Sequence, residues 1–117
     1  MKFQDNIPIY IQIANDIKDK IISGEYREDE KLPSIREYCA IYEVTSLTMQ
    51  RAFQQLEGNE VIWTKKGIGS FVSKNSKNKL QEDMMQSQVT EFVKRMKNMG
   101  LTEEGILALI KEAFNHE

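Results

Sequence analysis

Apolar positions along this chain recur with a helical period, break, and then give way to short β-branched runs. Ile9, Ile13, Ile17 and Ile21 step by four, with Tyr10, Ala14 and Ile22 widening the stripe. That spacing predicts an amphipathic helix of about four turns, opened by Pro8 and ended by Gly24. An acidic loop, 25–31, follows, and Leu32-Pro33 leads to Ser34 and Glu37, which have the spacing of a capping box. The second helix is short, from Ile35 to about Tyr42. Glu43-Val44-Thr45 makes a tight break, and Thr45 or Ser46 caps a third helix. In it Met49, Ala52, Phe53 and Leu56 have the i, i+3, i+4, i+7 spacing of a buried face. Val61-Ile62-Trp63-Thr64 and Ser70-Phe71-Val72, joined by a glycine-containing basic loop, predict a β-hairpin. Trp63, Phe71 and Tyr38 are expected in the core rather than as stacking surfaces.

Residues 74–79 are polar and without periodicity, and read as a linker. Beyond them Met85, Val89, Phe92, Met96 and Met99 step 4, 3, 4, 3, a heptad seam ended by Gly100. Thr102, with Glu103 and Glu104 in the first turn, starts a last helix whose stripe is Ile106, Leu109, Ile110, Ala113 and Phe114. The expected fold is mostly α with a small β-hairpin. It divides into a winged helix-turn-helix over 1–73, a linker over 74–79 and a two-helix tail over 80–117. Two short helices cannot cover both stripes, so the tail is expected to dimerise through them. The competing use of the methionines is an effector pocket, since methionine adapts to varied shapes.

Composition narrows the chemistry. The 117 residues, 40% hydrophobic and 29% charged, suit one soluble domain with a small appendage. One cysteine, Cys39, and one histidine, His116, are too few for a zinc site or a histidine-based nucleophile relay. No catalytic residue, metal or cofactor is therefore expected. No apolar run reaches the ~18 residues of a membrane span and the start lacks a signal-peptide core, so a cytoplasmic protein without a membrane partner is expected. The net charge is −2, yet residues 60–79 hold five lysines against one acid, a local +4 on an acidic protein. Such a patch can meet phosphate, with an affinity that depends strongly on salt.

A helix, a short helix, a tight break, a third helix and a hairpin form an arrangement suited to duplex DNA. With Met49, Phe53 and Leu56 inward, Ser46, Leu47, Gln50 and Arg51 fall on other faces of the third helix, where they can reach base edges. Thr45, Ser46 and Thr48 bring hydroxyls for phosphate, though capping alone accounts for one of them. Leu47 is either a turn-packing residue or an exposed partner for a thymine methyl. Lys65, Lys66 and Gly67 at the hairpin tip suit a close approach to the backbone or minor groove. Arg36, near the start of the second helix beside Ser34, either contacts DNA or pairs with Glu37 or Glu43.

Six fragments then carry a family resemblance: Pro8-Ile9-Tyr10-x-Gln12-Ile13, Ile21-Ile22-Ser23-Gly24, Leu32-Pro33-Ser34-x-Arg36, Val44-x-x-x-Thr48-Met49, Ala52-x-x-x-Leu56-Glu57 and Gly67-x-Gly69-x-Phe71-Val72. In this order, over about residues 7–73, they resemble the DNA-binding domain of the GntR family of bacterial transcription regulators. The short tail is similar to that of the YtrA-like subfamily. That resemblance implies a homodimer joined by the tail, a palindromic operator, and repression of a nearby operon, often one for a transporter. It also implies a DNA-contacting role for Arg36. The chain departs from the pattern at Thr45-Ser46-Leu47, where relatives often carry an arginine or asparagine. It departs again at Asp29 and Glu60, which stand where glycine is usual, and at Cys39, which replaces a small alanine and is expected to be a buried, inert thiol. The competing reading is a winged-helix protein-interaction module that no longer binds DNA. An enzyme has no assembled nucleophile, base or metal site to support it.

Overall fold

A computed structural model describes residues 1–116. The element order is α1 (Ile9–Ile22), α2 (Ile35–Tyr42), α3 (Ser46–Gly58), β1 (Ile62–Lys65), β2 (Gly69–Val72), α4 (Ser76–Asn98) and α5 (Glu103–Asn115). The chain forms two compact units, Met1–Gln81 and Glu82–Glu117.

In the first unit α1 buries Ile13, Ala14, Ile17 and Ile21 chiefly against α3, whose own buried face is Met49, Ala52, Phe53 and Leu56. Leu32, Tyr38, Tyr42, Val61, Ile62 and Val72 complete the core. Each fully buried aliphatic side chain contributes about 2 kcal/mol relative to exposure. Residues ahead of α1 are strapped to it by Gln12, whose side-chain amide donates to the carbonyls of Gln4 and Ile7 and whose Oε1 accepts from the Gln4 N–H. α2 starts with the expected capping box: the Ser34 hydroxyl accepts from the Glu37 N–H, and the Glu37 carboxylate accepts from the Ser34 N–H. Glu43 turns the chain out of α2 with a left-handed φ of 57°.

The hairpin is antiparallel, with Ile62 opposite Val72, Trp63 opposite Phe71, Thr64 opposite Ser70 and Lys65 opposite Gly69. The loop before α2 runs along the far side of β2, where Lys31 bridges to Phe71 and Leu32 N–H donates to the Ser70 carbonyl at 2.8 Å. Asp29 and Glu60 both adopt positive φ, 64° and 60°. Left-handed backbone of this kind favours glycine, and this chain meets the demand with strained L residues.

Three expectations need correction. The segment 74–79 is not a linker, because α4 begins at Ser76. Its first turns are held on the winged unit: Ser76 and Leu80 are buried, Lys79 pairs with Glu60 at 2.7 Å, and the Asn75 N–H donates to Glu28. A polar run signals solvent on most faces, and an exposed helix satisfies that as well as a linker does. Trp63 is not in the core. Outward-facing on an edge strand, it is 44% exposed, while Phe71 is half-buried and Tyr38 fully buried as expected. Cys39 is half-buried beside the core rather than sealed within it.

The second unit holds the rest of α4, a turn through Gly100 at φ 92°, and α5, capped by Thr102. Ile106 is buried there, and Phe92, Met96 and Ile110 are half-buried. Met85, Val89, Met99, Leu109 and Phe114 remain exposed. Phe92, Met96, Leu109, Ile110, Ala113 and Phe114 line an open groove of about 350 Å³.

Candidate nucleic-acid interface

The site begins with the tight break between α2 and α3. Thr45 takes an extended conformation, and its hydroxyl accepts from the Thr48 N–H at 3.3 Å while meeting the Thr48 hydroxyl at 3.0 Å. The Thr45 hydroxyl thus caps α3, and the two hydroxyls hold one another. Thr48 is half-buried and Thr45 exposed, so Thr45 retains the better reach toward a phosphate. One position on, Ser46 Oγ accepts from Gln50 Nε2 at 3.1 Å. That bond leaves the Gln50 amide its carbonyl oxygen and one N–H, the acceptor–donor pair that adenine presents a match for in the major groove.

Leu47 is 57% exposed at the first turn of α3. Its turn-packing reading is thereby excluded: the buried face is carried by Met49, Ala52, Phe53 and Leu56. Arg51 is exposed one turn further along, near Tyr10, Gln54 and Gln55. Arg36 is exposed in the first turn of α2, and among the described residues neither Glu37 nor Glu43 forms an ion pair with it. Glu37 is occupied by the capping box instead.

The wing supplies the second half. The Ile68 N–H donates to the Lys65 carbonyl at 3.0 Å, closing a tight tip. Gly67 turns it with φ 79°, a conformation an L side chain adopts only at a cost. Lys65, Lys66 and Gly67 are all exposed. Ile68, which the sequence reading passed over, is 50% exposed at the same tip. Its signal was available: an isoleucine between two glycines in a basic loop has no core to enter. The structure places Ser34, Arg36, Thr45, Ser46, Leu47, Gln50 and Arg51 on exposed turns of α2 and α3, and Lys65, Lys66 and Gly67 on the hairpin tip. Chemically these are hydroxyls, an amide, guanidinium and ammonium groups, the apolar Leu47 and the bare backbone of Gly67, with the exposed Glu37 carboxylate beside Arg36, a set suited to phosphate and base edges. Among the described residues no group of His, Cys, Asp or Glu could hold a metal ion, and no helix is long and apolar enough to cross a membrane.

Comparison with known proteins agrees in kind. The family model described as bacterial regulatory proteins, gntR family, matches residues 9–72. The chain is 34% identical to the HTH-type transcriptional regulator YhcF of Bacillus subtilis, over 94% of this chain and 93% of that one. It is 30% identical to the HTH-type transcriptional repressor YtrA of the same organism, over 93% and 86% of the two chains. A solved GntR family transcriptional regulator from Listeria monocytogenes superposes with a TM-score of 0.75 at 35% identity, covering 94% of this chain and 98% of its own.

Proposed function

Because the chain belongs to the GntR family of bacterial regulatory proteins, DNA-binding transcription regulators and not enzymes, we propose that it works as a homodimeric repressor of a nearby operon. The observation that carries this reading is the division of α3 into a buried face and an exposed one bearing Leu47, Gln50 and Arg51. In this proposal α3 lies in the major groove, Gln50 reads adenine, Leu47 meets a thymine methyl, and Arg51 takes guanine or phosphate. Arg36 and the α3 hydroxyls fix the register on the backbone, and Lys65, Lys66 and Gly67 bring the wing to the adjacent groove.

The exposed Met85, Val89, Met99, Leu109 and Phe114 support dimerisation through residues 82–116, and the half-buried Phe92, Met96 and Ile110 line the same apolar groove or seam. Ile106 supports the unit from within. The operator is then palindromic and the protein cytoplasmic, with transporter genes the first target class to examine. Selection of bound duplexes from a random pool, followed by mobility shifts across a salt series, tests the proposal. Enrichment of an inverted repeat with strongly salt-dependent binding is expected. Failure to enrich any sequence, with no binding at low salt, would overturn it in favour of a protein-interaction module.

A further inference from the structure

The outer face of the wing carries a cluster of which the proposed groove contacts use only Lys65. β2 is flanked on one side by β1 and on the other by residues 29–32, with Leu32 N–H donating to Ser70 and Val72 N–H donating to Glu30. Strand alternation turns Leu32, Ile62, Ser70 and Val72 toward the core, where all four are buried. It turns Lys31, Trp63, Lys65, Gly69 and Phe71 outward. Trp63 stacks on Phe71 with ring centroids 4.7 Å apart and planes 20° from parallel, yet remains 44% exposed.

The cations sit in the next row toward the tip. Lys65 is opposite Gly69, and the Lys31 stem leans over the same glycine, so closely that a Cβ there would lie 2.7 Å from Lys31 Cε. Neither lysine forms an ion pair among the described residues. Of the nearby carboxylates, Glu57 accepts from the Thr64 hydroxyl and Glu30 accepts from the Arg27 N–H.

We propose that Trp63, backed by Phe71 and flanked by Lys31 and Lys65, is a further contact to duplex DNA, with the indole against a deoxyribose and the two ammonium groups on neighbouring phosphates. This rests on the DNA-binding reading above. An apolar ring beside two unpaired cations matches the alternation of sugar and phosphate along a strand. The row spacing of ~3.3 Å per residue puts Trp63 about 7 Å from Lys65, within reach of a backbone that the tip already approaches. A contact of this kind adds affinity without reading sequence.

Trp63 is the chain's sole tryptophan, so its fluorescence reports on this face alone. The full chain is titrated with a fluorescein-labelled mixed-sequence duplex at low salt, with label anisotropy reporting binding and acrylamide quenching reporting access to Trp63. Saturation is expected to cut the quenching constant at least by half. Trp63→Ala should weaken binding roughly fivefold, about 1 kcal/mol, and Trp63→Phe should recover part of it. Lys31→Ala should lower the salt slope by about 1. Binding by anisotropy with unchanged quenching would sink this inference and leave the DNA-binding reading standing. No anisotropy change at all would overturn both. The quenching measurement uses the unaltered chain, so a variant that failed to fold would not rescue the idea.

Discussion

Leu47 occupies a position where an apolar side chain gains little from the fold. It is 57% exposed, one residue into α3, while the helix's packing is carried by Met49, Ala52, Phe53 and Leu56. An apolar group there can favour only the thymine methyl among base edges. Leu47→Ala should therefore relax discrimination at one base pair by about 1 kcal/mol, near the lower end for a base contact, and leave the melting temperature unchanged. Binding to operators substituted position by position, with thermal melts alongside, checks both halves. A large fall in melting temperature with base preference intact would count against the contact. Asp29 poses the opposite case, a residue the fold would rather not have. Its φ of 64° costs an L residue about 1 kcal/mol, of which glycine's greater unfolded-state freedom takes back part. Its N–H bond to the Val72 carbonyl survives substitution. Asp29→Gly should raise stability by about 0.5 kcal/mol in urea melts.

At the scale of elements, phenols as well as apolar packing tie α2 to α1 and to the loop that follows α1. The Tyr38 hydroxyl donates to Tyr26 at 3.0 Å, and the Tyr42 hydroxyl donates to Asp16 at 2.6 Å. Burial, and then those hydrogen bonds, push both phenols above their ordinary range. The folded state thus holds protons that the unfolded chain gives up above about pH 10. Their contribution is complete below that pH and is lost as pH rises further. Alkaline titration should therefore show Tyr38 and Tyr42 ionising only together with loss of helix, read as ultraviolet absorbance against circular dichroism. Ionisation of every tyrosine before the helix signal falls would contradict this. The wing gives a second test: Lys66→Ala should lower the salt slope by about 1 without shifting the preferred sequence. Much of this was legible in the chain. Periodicity and caps located α1, α2 and α3, because burial there follows one stripe and the capping residues are local. Trp63 and residues 74–79 were not legible, because their fate depends on neighbours distant in sequence. The edge of a two-stranded sheet leaves the indole outside, and Glu60 and the core pocket for Leu80 draw a polar run into a helix.

For the whole molecule, the position of α4's start decides where the chain can be cut. Leu80 is 6% exposed within the winged core and Lys79 pairs with Glu60, so the winged unit runs to Gln81. Beyond it Met85 and Val89 are 61% and 62% exposed, and Met99 and Phe114 are 74% and 73% exposed. One chain in isolation would leave this apolar area in water at a cost of about 25 cal/mol per Å², which a second copy can recover. Full-length protein should therefore be a dimer by light scattering at roughly tens of micromolar, and its selected operator should hold two inverted half-sites about one helical turn apart. A chain ending at Gln81 should fold as a monomer with its helix content and wing intact. It should bind a single half-site far more weakly than the dimer binds the pair, because the second contact is no longer made within one complex. A chain ending at Lys79 lacks Leu80 and should lose about 2 kcal/mol of stability relative to it. Urea melts of the two truncations, with scattering of all three chains, separate these outcomes. A monomeric full-length protein would overturn the dimer, and a dimer that persists in the chain ending at Gln81 would place the subunit contact outside the tail.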